Sequence, residues 1–397
     1  MGSYSKTKRT PHSYMKIGII TLFQNYNYGA TLQAYALQRS IYEMGYCVET
    51  IQYTRTAINT NHISFIKQCL RLPQRIIHRI LSKEVETNDL IYKKNTSMVR
   101  KKLFEEFIEK NMKTSKQRYN KDNISTSNDE YDCFVCGSDN IWNKNLFDSA
   151  FMLDFALDSK MKIAYAPGMS TDRLTRHQRT LFLSPIKRLD FISCREKIGA
   201  DLLSKYLRRS IPVVCDPTLL LTAEQWRSVE AKPHFELPQK YIFAYICSKN
   251  THTQNIIYNI YKESKLPVVV IPDMGESYNL NQSEYIYLND VGPAEFIYLI
   301  DHACLVVTDS FHGTVFSCIM NREFWSFNRF KSENTVQLNQ RINNLLRILN
   351  ISEKRILTEY NENYHNCPID WDDANSYREN EREKSIEYLK STLGGAQ

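Results

Sequence analysis

The sequence predicts an α/β protein built from two sheets with helices on their faces. Three observations carry that expectation. From Met15 onward, short apolar runs alternate with longer helical periodicities in strand, helix, strand order. The polar stretch EAKPHFELPQ at 230–239 interrupts this rhythm, which then restarts. A length of 397 residues suffices for two domains that each bury a core.

In the first half, KIGIIT reads as a buried strand, NYNYG as a turn, ATLQAYALQRSIYEMG as a helix ending at Gly45, and CVETIQY as the next strand. After a basic helical region come YDCFVCGSD at 131–139, KMKIAYAP at 160–167, FISC at 191–194 and IPVVCDP at 211–217, all read as strands, with a helix starting near Arg195. The second half opens with the strand KYIFAYIC and a helix over 252–264. LPVVVIP, a short strand near Tyr285 to Leu288, a helix over 293–301, ACLVVT, a helix over 312–320 and EFWSF follow. Helices near 335–349 and 375–391 end the chain. The expected domains are 15–232, with a basic helical insertion at 61–120, and 233–332. Residues 1–14 read as a leader, and 333–397 carries the last helices, with a course back over the first domain left open. Ligands of such sheets bind at the carboxyl ends of strands.

Ten scattered cysteines, most in apolar surroundings, fit a reduced, cytoplasmic chain better than a disulfide framework. No run of eighteen apolar residues and no signal-peptide pattern occurs. The net charge of +7 is concentrated in 61–120, which holds fourteen Lys or Arg against six Asp or Glu. Arg71, Arg75 and Arg79 repeat there beside an apolar stripe, so a solvated basic face and peripheral contact with anionic lipid are both open. No nucleic-acid-binding module accompanies the charge, and nucleic acid is not an expected partner.

Four strand ends carry polar or glycine-bearing turns: Asn25 to Gly29, Gly137 to Asp139, Pro167 to Ser170, and Thr308 to Thr314. A helix starting after such a turn presents unpaired backbone N–H groups and a field that favours anions. Asn25, Asn27, Gly29, Ser138, Ser170, Ser310, Gly313 and Thr314 are therefore binding candidates. Neither GxGxxG nor GxxxxGK[ST] is present, so no dinucleotide or triphosphate loop is expected. His312 can hold phosphate or move a proton near neutral pH, and a helix-capping role is its alternative. Arg195 offers a fork for a carboxylate or phosphate, with a surface ion pair as the alternative. Arg322 and Arg329 flank EFWSF as further anion-binding candidates. Asp139 and Asp309 are acid or base candidates that could equally serve as turn or cap residues. Cys133 and Cys136 form a lone CxxC inside an apolar strand, and no metal site is expected.

Taken in order, IGIITLFQNYNYGATLQAYALQ at 17–38, CGSDNIWN at 136–143, KIAYAPGMS at 162–170, SCREKIG at 193–199, VCDPTLLLT at 214–222 and LVVTDSFHGTVFSCIMNREFWSF at 305–327 resemble the polysaccharide pyruvyl transferase family. The resemblance implies two Rossmann-like domains facing across a cleft, as in GT-B glycosyltransferases. It implies transfer of the enolpyruvyl unit of phosphoenolpyruvate onto two sugar hydroxyls, giving a cyclic ketal and phosphate, with no cofactor. By this likeness His312 matches the histidine near the donor phosphate, and Arg195 matches a donor-contacting arginine; Asp139 is assigned as base for the acceptor. Many members carry an arginine two residues before the histidine. Here that place holds Ser310, so Arg322, Arg329 or Lys331 is expected to replace it, or the donor differs.

The implied partner is a saccharide acceptor of a cell-surface glycan, in one form linked to polyprenyl diphosphate at the inner face of the cytoplasmic membrane; a homo-oligomer is left open. A nucleotide-sugar glycosyltransferase and a noncatalytic glycan-binding or assembly protein are the alternatives to pyruvyl transfer.

Overall fold

A computed structural model of the chain describes residues 15–55, 58–59, 96–169, 171–248, 250–272, 285–329, 336–360 and 367–395. The basic repeat at Arg71 to Arg79, Ser170 and Lys331 lie outside these residues.

The first domain contains β1 (Lys16–Ile20), α1 (Tyr28–Glu43), β2 (Cys47–Tyr53), α2 (Met98–Asn111), β3 (Thr114–Tyr119), β4 (Cys133–Cys136), β5 (Met161–Ala164), α3 (Arg176–Ile186), β6 (Phe191–Ile192) and α4 (Lys197–Leu207). After the short helix α5 (Ala223–Arg227), the second contains β7 (Ile242–Tyr245), α6 (Thr251–Ser264), β8 (Val268–Val270), β9 (Tyr285–Tyr287), α7 (Pro293–Asp301), β10 (Leu305–Thr308), α8 (Phe311–Ile319) and β11 (Phe324–Phe327). Helix α9 (Val336–Ile348), β12 (Ile356–Leu357) and α10 (Trp371–Gly394) follow.

The first sheet runs β3-β2-β1-β4-β5-β6 and the second β9-β8-β7-β10-β11-β12, with parallel neighbours throughout. Counted within each domain, both follow the order 3-2-1-4-5-6, the Rossmann order, whose direction reverses beside the first strand. Those switch points lie between β1 and β4 and between β7 and β10. The chain is thus two Rossmann-like α/β domains.

The two halves share one apolar core. Tyr28, at the start of α1, is fully buried and stacks on Phe296 of α7, with centroids 4.5 Å apart and planes at 10°. Its hydroxyl donates to the Val291 carbonyl at 2.8 Å, and the Arg100 guanidinium lies 4.7 Å from its ring. Trp226 of α5 packs edge-on against Phe316 of α8, 4.8 Å between centroids. Helix α10 runs back over the first domain. Its Leu389 and Leu393 join Ile17, Ile19 and Leu37 in one cluster, the Ser385 hydroxyl accepts from Cys215 N–H at 2.9 Å, and Arg378 donates to the Ile319 carbonyl of α8 at 3.1 Å.

Three local expectations are corrected. Thr114 to Tyr119, read as the end of a helical region, is the edge strand β3. IPVVCDP at 211–217 forms no strand: a single Cys194–Val213 bridge precedes a 3-10 turn at Pro217–Leu220. The NYNYG turn ends sooner than its sequence suggests, because Asn27 caps α1 by accepting from Ala30 N–H at 3.1 Å, which places Gly29 inside the helix.

Candidate active site

The two switch points face each other, and what meets there is set by local chemistry. Asn27 caps α1, and Asn25 Oδ1 accepts from Asn27 N–H at 3.3 Å, so both asparagines shape the turn that precedes the helix. Ser310 caps α8, its hydroxyl accepting from Gly313 N–H at 3.4 Å. Two helix N-termini therefore point into the junction, a favourable field for an anion.

His312, in the first turn of α8, lies against Gly29 of α1. A Cβ on Gly29 would fall 1.9 Å from His312 Nδ1. Gly313 allows an equally close approach on its own side, where a Cβ would meet Thr308 Oγ1 at 2.5 Å. His312 Nε2 faces the Asp216 carboxylate at 3.6 Å, longer than a hydrogen bond.

Arg195, between β6 and α4, is almost wholly buried. Its Nε donates to Glu196 Oε1 at 2.9 Å and its Nη1 to Asp216 Oδ2 at 2.8 Å, with Asp139 Oδ1 at 4.0 Å. The same Asp216 oxygen thus stands between the guanidinium and the imidazole. The other, Oδ1, accepts from the backbone and hydroxyl of Thr218 at 3.0 and 2.7 Å. Burial opposes ionisation of Asp216, but His312, Arg195 and the Thr218 hydroxyl outweigh it and hold the carboxyl well below the usual carboxylate range. Burial likewise disfavours the Arg195 cation, and Glu196, Asp216 and Asp139 reverse that and raise it further. Arg195 Nη2 packs against Gly168, where a Cβ would approach to 2.7 Å. Both Nη2 and His312 Nε2 are buried without a hydrogen-bond partner, so the guanidinium keeps a donor for an anion and the imidazole keeps an unpartnered nitrogen beside it.

Phe311 completes this edge. Its ring has the Arg195 guanidinium at 4.8 Å from its centre and that of Arg341, from α9, at 5.8 Å. Arg195, Asp216, Phe311, Arg341 and Asn344 line one small pocket.

The other candidates separate by place. Asp139 is partly exposed, its carboxylate 4.0 Å from Arg195 Nη1. Ser138 is fully buried and structural: its hydroxyl donates to the Ala166 carbonyl at 2.6 Å, and its N–H donates to Gln33 Oε1 at 2.9 Å. Thr314 is also structural, bonding the Ser310 carbonyl at 3.0 Å and Ser326 Oγ at 2.8 Å. Arg322 stands before β11, at the far end of the strand from the junction, and pairs with Asp301 at 3.1 Å; that carboxylate also holds Arg227 at 2.7 Å. Arg329 is nearer, donating to the Cys247 carbonyl at 2.9 Å. Asp309 is a buried clamp between strand ends, accepting from Cys247 N–H at 2.5 Å, and burial pushes its carboxyl up.

Sequence reasoning passed over Asp216 and Arg341. Asp216 carried the visible signal of an acid ending an apolar run before proline, but that pattern equally marks a cap. Arg341 carried no local signal, because its approach depends on how α9 folds back.

Residues 27–331 match the family model of the polysaccharide pyruvyl transferases, and the chain belongs to that family. No curated protein matches it. Among solved structures it is similar to MnaA of S. aureus with UDP (9% identity, 96% of this chain and 97% of that one, TM-score 0.49). It is also similar to the UDP-GlcNAc 2-epimerase of Neisseria meningitidis bound to UDP-GlcNAc (9%, 96% and 99%, TM-score 0.44) and to the spinosyn forosaminyltransferase SpnP (10%, 96% and 100%, TM-score 0.43). Among the described residues, no helix is long and apolar enough to cross a membrane.

Proposed function

We propose that this family member transfers the pyruvyl unit of phosphoenolpyruvate to two hydroxyls of a hexose, forming a cyclic ketal and releasing phosphate. The observation that carries the reading is the Arg195–Asp216–His312 assembly, set between two helix N-termini with an unpartnered nitrogen on both the guanidinium and the imidazole. Such a place suits a small, multiply charged anion whose charge redistributes during reaction.

Protonation of the donor's methylene carbon leaves its C2 electron-poor, and a sugar hydroxyl adds there while losing its proton to a base. Phosphate then departs with the C2–O bonding pair. The second hydroxyl adds to the renewed electron-poor centre, loses its proton and closes the ring. His312 contacts the phosphate and supplies a proton, and Arg195 holds the anion. Asp139 receives the acceptor proton. Asp216 touches neither reactant; it positions the Arg195 guanidinium and the His312 imidazole. The donor is itself the activated group, so the proposed reaction calls on no cofactor. In this reading the acceptor belongs to a cell-surface glycan or its lipid-linked precursor, and the charge excess of 61–120 favours work at an anionic membrane face.

The test is phosphate release from phosphoenolpyruvate across galactose-, glucose- and mannose-type acceptors, with mass analysis of the product. The expected product is heavier than the acceptor by pyruvate less water, and His312→Ala should abolish it while the protein remains folded. Sugar transfer from a nucleotide donor, with no phosphate release from phosphoenolpyruvate, would overturn the proposal.

A further inference from the structure

The junction holds a second guanidinium that no strand-end motif accounts for. Arg341 lies on α9, in a segment beyond the 27–331 covered by the family model, yet it lines the same pocket as Arg195, Asp216 and Phe311. Both guanidiniums lie near the Phe311 ring, their central carbons 4.8 and 5.8 Å from its centre. Ser310, two residues before His312, does not reach toward a ligand; its hydroxyl is engaged in capping its own helix.

Resting on the pyruvyl-transfer reading, we propose that Arg341 binds the donor's carboxylate, beside a phosphate subsite made by Arg195, His312 and the starts of α1 and α8. The division follows from charge. The phosphate is the more highly charged end and belongs where two helix N-termini, the Arg195 guanidinium and the His312 imidazole converge. The carboxylate end of the same molecule then points toward the remaining guanidinium, whose planar fork matches it. The charged groups acting on Arg341 include Arg195 and Arg329, which repel it, and Glu196 and Asp139, which attract it. Burial first and Arg195 next push its guanidinium down to about 10, a cost that a carboxylate placed between the two arginines relieves. Asn344, three residues further along α9 and lining the same pocket, sits where it can add a hydrogen bond.

Calorimetric titration of the full chain, its Arg341→Ala variant and its Arg341→Lys variant with phosphoenolpyruvate and, separately, inorganic phosphate tests the assignment. Arg341→Ala should weaken phosphoenolpyruvate binding at least about tenfold, the scale of one charge-assisted hydrogen bond, and leave inorganic phosphate within about twofold. Arg341→Lys should recover part of the loss. Unchanged phosphoenolpyruvate affinity, or an equal loss for both ligands, overturns the role of Arg341 alone. A wild-type chain that binds no phosphoenolpyruvate overturns this inference and the pyruvyl-transfer reading together, whereas Arg341-dependent binding without ketal product overturns only the reaction.

Discussion

Replacing Gly29 with alanine separates the stability of α1 from the function of the junction. Gly29 lies in the first turn of α1 with no left-handed φ, so alanine should favour the helix by up to about 1 kcal/mol. The new methyl, however, would sit 1.9 Å from His312 Nδ1. An ordinary contact is about 3.5 Å, so the ring must retreat by about 1.5 Å. Moving by that much takes the imidazole out of line with Asp216 and with the α1 N-terminus, and a misplacement of about 1 Å costs on the order of 100-fold in rate. The strained rotamer costs about 1 kcal/mol and roughly cancels the helical gain. The expected result is a melting temperature within about 3 °C of wild type and phosphate release from phosphoenolpyruvate reduced at least about 100-fold. Thermal denaturation and a coupled phosphate assay measure the two. A Gly29→Ala enzyme that keeps its rate would show that the imidazole need not stand against α1, and the assembled site would lose its centre.

Other changes probe neighbouring contacts. Asp216→Asn removes the carboxylate that Arg195 pairs with and His312 faces, and should lower stability by about 3 kcal/mol in urea unfolding at neutral pH, since it leaves the buried guanidinium under-compensated. The Asp216 carboxyl is depressed in the fold, so its stabilisation is complete above the unfolded value of about 3.9 and fades as pH falls below it; the gap between wild type and Asp216→Asn should narrow below about pH 4. Tyr28→Ala empties the space between α1 and α7 and should cost about 4 kcal/mol, with wild-type stability refuting a shared core. Arg322→Ala should leave donor KM within about twofold, because that guanidinium is paired at the far end of β11; a large KM increase would return it to the site.

The alternation of strand and helix was legible because buried parallel strands read as compact apolar runs, as CFVC at β4 and LVVT at β10 do. β3 was not, because TSKQRY pairs on one side only and exposes three successive residues, leaving little apolar signal. The opposite error arose at 211–217, where Ile211 and Val214 are buried as coil while Val213 is 39% exposed, so an apolar run served packing without a ladder. His312 and Arg195 could be singled out because each stands beside a strand end. Asp216 could not be separated from a cap by any local rule, since one of its oxygens does serve the turn at Thr218 while the other pairs with Arg195 and faces His312. Arg341 and Arg347 occupy one helix in similar surroundings of sequence. Only the packing of α9 sends the first toward Phe311 and the second to Glu353.

How the halves are joined bears on how the site works. Tyr28 is buried against Phe296, Tyr245 and Phe104, and its hydroxyl is tied to Val291, so the start of α1 is fixed to the second domain only one residue from Gly29. Helix α10 makes a further tie, with Ser385 on one domain and Arg378 on the other. The imidazole is therefore held against α1 by the same packing that joins the domains, and its partner Asp216 is fixed through Thr218. A guanidinium and an imidazole already fixed around one carboxylate can meet a developing anion without first reorganising, which is where electrostatic catalysis gains most. The aromatic core between the domains is in this sense part of the site, because loosening it at Tyr28 displaces the wall on which His312 rests.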